Sequence, residues 1–188
     1  MKTTKIITLI AIVILAISCK KEEQNNVNIE DRTVNISLST NTTSNDSIIN
    51  LDSDGTDDFR IYSSLPGGIN SNSQIGINSV NGYEFSTESQ GFSNEIIRTF
   101  SKNTEINAST TTWKADALFY FFDANLPTPN KLGYNDAGYK YIAFRTTANN
   151  INYKYGWMLV NISGGHTISI IEFALYTLDD VAIKIGEK

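Results

Sequence analysis

The sequence predicts an all-β body, an antiparallel β-sandwich of jelly-roll-like kind, preceded by an export signal and a short disordered tether. From Thr33 onward no stretch of ten or more residues spaces its apolar side chains at i, i+3, i+4 and i+7, as an amphipathic helix requires. Short alternating runs recur instead, punctuated by Pro66-Gly67-Gly68, Asn81-Gly82, Pro127-Thr128-Pro129-Asn130 and Ser163-Gly164-Gly165. The chain has 188 residues, 40% hydrophobic and 19% charged, which suits one folded domain.

Met1 to Lys5 carries Lys2 and Lys5, residues 6–17 are almost wholly apolar, and Ser18-Cys19 follows at once. That order is a signal peptide. As a membrane span the run falls short of the roughly 20 residues a helix needs. Ala16-Ile17-Ser18-Cys19 resembles the lipobox of bacterial lipoproteins, with Ala16 where Leu is usual and the small Ser18 that the peptidase needs. The resemblance implies cleavage after residue 18, a lipid-modified (palmitate-bearing) Cys19 as mature N-terminus, and several acyl chains, enough for stable anchoring.

Residues 19–32 are expected to be the lipidated cysteine and its tether. Within them Lys20-Lys21-Glu22-Glu23 resembles the Lys-acidic signal that sends some Gram-negative lipoproteins to the outer face of the outer membrane. Loss of residues 1–18 leaves 13 basic against 20 acidic side chains, a net charge of −7. Such an acidic body argues against nucleic acid as a partner and suits an exterior surface. The membrane, reached through the N-terminal lipid, is the expected partner, with an extracellular glycan or protein as a second.

The body, residues 33–188, is expected to carry strands at Thr33–Leu38, Ser47–Leu51, Asp58–Ser63, Gln74–Asn78, Tyr83–Thr87, Glu95–Phe100, Ala115–Phe122, Tyr139–Arg145, Tyr153–Ile162, Thr167–Tyr176 and Val181–Ile185. Ala117-Leu118-Phe119-Tyr120-Phe121-Phe122 does not alternate, which predicts a central strand covered on both faces. Residues 153–176 read as a long hairpin with Trp157 and Phe173 as core anchors.

One motif carries chemistry. Asn50-Leu51-Asp52-Ser53-Asp54-Gly55-Thr56-Asp57-Asp58 places oxygen side chains at positions 1, 3, 5 and 9 with glycine at 6, the spacing of an EF-hand calcium loop. Asn50, Asp52 and Asp54, the Thr56 carbonyl and Asp58 would supply hard oxygens to Ca²⁺. Ile61 stands where an EF-hand has its bidentate Glu, so affinity on the order of 10⁻⁴ to 10⁻³ M is expected. The competing reading is an acidic turn whose carboxylates cap backbone amides.

An Asp-rich loop from Asn50 to Phe59, the strand Tyr141-Ile142-Ala143-Phe144-Arg145, Tyr155-Gly156-Trp157 and then Ile171 to Tyr176 are together similar to a family of secreted bacterial proteins. The resemblance implies a β-sandwich on an exported, often surface-anchored protein. Asp46-Ser47-Ile48 resembles an O-glycosylation site of exported Gram-negative proteins, which would place a glycan on Ser47.

Catalysis finds little in the sequence. The single histidine, His166, sits beside glycines in an expected turn, no Gly-x-Ser-x-Gly occurs, and Cys19 would be lipidated. A glycoside hydrolase would need two carboxylates, and Glu84, Glu88, Glu95, Asp116, Asp123 and Glu172 offer no distinctive spacing. A non-catalytic structural or adhesive module is expected, with glycan or peptide binding as the alternative. Trp113, Tyr134 and Tyr139, in polar or Gly-rich surroundings, are the candidate exposed rings for a ligand.

Overall fold

The computed structural model describes residues 27–30, 34–37, 44–51, 54–64, 73–90, 95–123, 130–134, 137–147, 151–163 and 167–187. The signal peptide, Cys19, Asp52 and the turn holding His166 lie outside them. Among the described residues there is no helix, and the protein is all-β.

The strands are β1 (Val27–Glu30), β2 (Val34–Ser37), β3 (Ser44–Ile49), β4 (Phe59–Ser64), β5 (Ser73–Ser79), β6 (Tyr83–Ser89), β7 (Glu95–Ile97), β8 (Thr99–Phe100), β9 (Glu105–Ile106), β10 (Thr112–Lys114), β11 (Asp116–Asp123), β12 (Asn130–Gly133), β13 (Gly138–Thr147), β14 (Tyr153–Ser163), β15 (Thr167–Tyr176) and β16 (Ile183–Lys184). Fourteen of them form one curled sheet whose path runs β1-β15-β14-β13-β6-β7-β11-β5-β4-β3, and β9 pairs with β16 in a small second sheet. The curl brings β2, which pairs with β15, within 8 Å of β3 and β4. The outcome is sandwich-like: β3, β4, β5 and β11 face β6, β13, β14 and β15 across one core.

Alternation explains which side chains meet there. On β4 Phe59 and Ile61 point inward, on β6 Tyr83 and Phe85, on β13 Ile142 and Phe144, and on β14 Met158, Val160 and Ile162. The Phe59 ring meets Phe85 edge-on at 5.6 Å, which stitches the two halves together. Burial of each such phenylalanine stabilises the fold by about 1.5–3 kcal/mol.

Two bulges adjust the faces. On β15 the register jumps at Ile171, since Glu172 opposes Leu159 and Ile170 opposes Val160. The extra residue reverses parity, so Ile168, Ile170 and Phe173 all enter the same core. On β11 the jump falls at Phe119, and Phe119 and Tyr120 are consecutively buried. That bulge accounts for the run that fails to alternate. β11 is central, as expected, between β7 and β5, although Leu118, Phe121 and Phe122 stay half-buried.

A second, smaller core lies on the outer face of β13, β14 and β15. Ala143, Tyr155, Trp157, Ala174 and Tyr176 are covered by Ile106, Ile183 and Ile185 from the β9–β16 sheet and its neighbourhood. Trp157 Nε1 and the Tyr176 hydroxyl both donate to the Glu187 carbonyl, at 3.2 and 3.3 Å. Trp157 and Phe173 are core residues, on opposite faces of the expected hairpin.

Among the described residues the sheet departs from the expected purely antiparallel arrangement at one place. β7 pairs antiparallel with β6 but parallel with β11, through Ile96 and Leu118. The expected strand Glu95–Phe100 divides at Arg98, whose amide bonds the Ser86 carbonyl while β8 moves on to pair with β13. β1 falls within the stretch read as tether, where Val27 and Ile29 supply the alternation that pairs it with β15. β9, β10 and β12 arise in stretches that had no strand assignment.

Candidate functional site: the loop end of the sandwich

The register gathers several connections at one end of the molecule. Ile49 opposes Phe59 and Phe59 opposes Ser79, so the Asp-rich loop and the turn at 80–82 are neighbours. Tyr83 opposes Thr146 and Thr147 opposes Tyr153, which adds the connection between β13 and β14. Gly156 opposes Leu175, so the segment after β15 arrives there as well. Val80, Ile151 and Leu178, three of the five exposed large apolar residues among the described ones, belong to these connections.

Asp58 organises this end. Its carboxylate, 1% exposed, accepts the Leu51 amide at 2.6 Å, and its own amide donates to the Ile49 carbonyl at 2.9 Å. Its carbonyl accepts the Val80 and Asn81 amides at 2.8 and 3.1 Å. One residue thus closes the Asp-rich loop and ties it to the turn that carries the chain from one half of the sandwich to the other. Asp54 Oδ1 accepts the Thr56 amide at 2.6 Å, and Gly55 has φ +89°, the left-handed conformation that the sharp turn requires. Asp54 and Thr56 are exposed and Asn50 half-buried. The donors are all oxygen, the type a hard cation takes, and the glycine turn fits the calcium-loop spacing. Among the described residues no group of three His, Cys, Asp or Glu side chains converges as a metal cluster.

Beside this loop two adjoining depressions share Gly82, Tyr83 and Thr147. The larger, about 450 Å³, is bounded also by Ser79, Glu84, Ala115 and Tyr153. The smaller, about 270 Å³, reaches Asp58, Asn81, Thr146, Lys154 and Leu175. The cleft wall is braced by Arg145, which holds Glu84 Oε2 through Nε at 2.6 Å and through a terminal guanidinium nitrogen at 2.5 Å. The guanidinium carbon lies 3.7 Å from the Tyr153 ring centroid and 4.9 Å from that of Trp113. Arg145 is 12% exposed and Glu84 29%, so the pair is shielded from most solvent screening. Burial pushes the Tyr155 hydroxyl above its ordinary range, an effect that the neighbouring Arg145 charge opposes.

The three candidate ligand rings do not come together. Trp113, expected to be exposed, is half-buried against Tyr155 at 5.8 Å, because pairing with Ser86 on β6 turns it onto the second core. Tyr134 is half-buried against the main core, with its hydroxyl 3.2 Å from Thr99 Oγ1. Tyr139 is 65% exposed. It stands six residues before Arg145 on β13, roughly 20 Å from the cleft. Ser47 lies on β3 opposite buried Ile61, half-buried with the parity of Ile49 and not in a turn. Of the carboxylates considered for glycoside hydrolysis, Glu84 is held by Arg145, and Glu95 accepts the Thr87 hydroxyl and pairs with Lys114 at 3.5 Å. The Asp123 side chain lies outside the described residues.

Thr147 and Lys154 had no place among the expected site residues, and Tyr153, an aromatic residue that could in principle stack on a sugar, was assigned to the core. Tyr153 reads as one more apolar position of an alternating strand. The pairing that sets Glu84 opposite Arg145 joins positions 61 apart, which no local pattern signals. Compared with models of known families, with curated proteins and with solved structures, the chain matches none.

Proposed function

We propose that this chain is an outer-membrane lipoprotein, held by the lipid on Cys19 and facing the cell exterior, that displays a non-catalytic β-sandwich with a structural or adhesive role. The observation that carries the reading is Cys19 set directly behind a basic, then apolar, export segment. The acidic, disulfide-free body agrees with display on a surface. A single histidine and one cysteine, the latter taken by lipid in this reading, leave one candidate imidazole base and no thiol nucleophile.

A calcium ion in the Asn50 to Asp58 loop belongs to the same reading, as a fastener of the loop end. Oxygen donors and the left-handed Gly55 support it. The cleft beside that loop favours the second reading, a binding module for an extracellular glycan or peptide.

Growth of the native host with an alkyne-bearing palmitate tests the anchor. The protein should carry the label in the membrane fraction, and Cys19→Ser should lose it. An unlabelled wild-type chain released into the medium would contradict the proposal.

A further inference from the structure

We infer that the loop end of the sandwich rests on the membrane that holds Cys19, with Val80, Ile151 and Leu178 touching the headgroup region of the bilayer. This placement rests on the lipid anchor proposed above and adds which end of the body that anchor brings down.

Chain length limits how the body can stand. β1 enters the sheet at the loop end, because Val27 opposes Tyr176 and Leu178 lies two residues beyond. Eight residue steps separate Cys19 from Val27, a reach of at most about 29 Å. β14 alone, eleven residues, is about 36 Å long. A body standing upright on its opposite end would need the loop end held farther from the membrane than the tether extends.

The exposed apolar residues gather at the same end. Val80 follows β5, Ile151 precedes β14 and Leu178 follows β15, and Ile151 is 79% exposed. Backbone bonds set their connections side by side: the Thr147 amide donates to the Gly82 carbonyl at 3.2 Å, and the Asp180 amide to the Tyr153 carbonyl at 2.7 Å. Ile48, one residue before the end of β3, is exposed near this end as well, and Tyr139 alone of the five lies at the other. One exposed apolar side chain is ordinary, whereas several on adjoining connections mark a membrane or protein contact. The tether selects the membrane. Asp54, Asp57, Asp179 and Asp180 are exposed around the apolar tips. Their carboxylates suit the ammonium ends of zwitterionic headgroups, and a net negative surface would repel them unless divalent cations covered it. A weak contact suffices, because the lipid makes it intramolecular, at high effective concentration. The opposite end then faces outward, which favours the structural or adhesive reading over a ligand held in the cleft.

The lipidated chain carrying Val80→Cys, Ile151→Cys, Leu178→Cys or Tyr139→Cys is labelled with a thiol-reactive fluorophore and reconstituted into vesicles of phosphatidylethanolamine and phosphatidylcholine that contain a nitroxide-bearing lipid. Quenching in the three loop-end variants is expected to exceed that in Tyr139→Cys by about threefold or more. Added to Leu178→Cys, the substitution Ile151→Asp should cut the quenching about twofold or more and leave the melting temperature unchanged, which separates apolar contact from nearness to the tether. Equal quenching at all four positions, stronger quenching in Tyr139→Cys, or indifference to Ile151→Asp overturns the inference. Loop-end probes shielded from aqueous iodide yet unquenched by the nitroxide lipid overturn it too, and point to a protein partner or a second copy. Failure of the anchor reading appears separately: the wild type, its one thiol in the lipid linkage, should take no dye and should float with the vesicles. Dye on the wild type, or a chain that does not float, removes the anchor and the inference with it.

Discussion

The buried Asp58 carboxylate accepts the backbone amide of Leu51 at 2.6 Å, and this bond across seven residues closes the Asp-rich loop whatever else the loop holds. Asp58 and Asp54 therefore have separable roles. Asp58→Ala leaves a buried amide unpaired and is expected to cost about 1.5–3 kcal/mol even in the absence of calcium. Asp54→Ala, at an exposed position, should cost little in the absence of the ion. Urea titrations of both variants check the difference.

Calcium binding predicts a thermal shift. With a Kd on the order of 10⁻⁴ to 10⁻³ M and about 2 mM calcium, the ion contributes roughly 0.6–1.8 kcal/mol, or about 2–6 °C in a protein of this size. EDTA should remove the shift, and Asp54→Ala should abolish the response. A melt indifferent to EDTA would reduce the loop to a hydrogen-bonded acidic turn.

Arg145 is expected to be the most sensitive surface-proximal position. Arg145→Ala leaves Glu84 partly buried without its cation and strips a stacking partner from Tyr153 and Trp113, for a cost of about 2–4 kcal/mol. Arg145→Lys should recover only part of this, because an ammonium neither stacks flat on a ring nor grips a carboxylate with a planar fork. Denaturation midpoints of the two variants check the order.

Gly156 has the tightest constraint among the strand glycines of the hairpin. Phe144 stands opposite it, and a Cβ at Gly156 would enter the Phe144 ring and come within 2.6 Å of the Ala174 carbonyl oxygen. Gly156→Ala should therefore cost about 1–3 kcal/mol or more. The cost should shrink, without vanishing, in a Phe144→Leu background, since the carbonyl stays in place. A double-mutant cycle measures that coupling.

Alkaline pH should weaken the fold. Burial raises the hydroxyl pKa of Tyr62, Tyr120, Tyr155 and Tyr176 above the ordinary 10.0, with the Asp116 charge adding to the rise at Tyr62. The native state then keeps protons that the unfolded state releases. The stabilisation is fully present below pH 10 and is lost as pH climbs through the raised native values. Melting temperatures at pH 8 to 11.5, read beside phenolate absorbance, should fall only above pH 10.

The legible part of the fold was the part written in local alternation. Tyr83 to Thr87, Tyr153 to Ile162 and Thr167 to Tyr176 show strand periodicity in their own residues, and the hairpin with Trp157 and Phe173 follows from it. β9 and β10 are two and three residues long and gain their pairing from partners distant in sequence, so no window of the chain announces them, and β12 is a four-residue strand that gains its pairing by folding back on β11. The bulge at Ile171 was hidden for a similar reason, because only the register with β14 shows which residue is extra. At the candidate site the loop from Asn50 to Asp58 was visible in its spacing. Its bond to the turn at Val80 was not, and neither was the Glu84–Arg145 clamp, since both depend on how the sheet curls. Trp113 looked exposed because its sequence neighbours are polar, while strand pairing lays it on the second core.

Display of this body outside the cell is tested most directly by treating intact cells of the native host with a membrane-impermeant, lysine-reactive biotin and mapping the modified residues. Lys102, Lys114 and Lys184 are exposed on the folded body and would report its location. Modification of these lysines in unbroken cells, to about the extent seen after lysis, is the predicted result. Protection of all three until the outer membrane is permeabilised would contradict it and place the sandwich on the inner face.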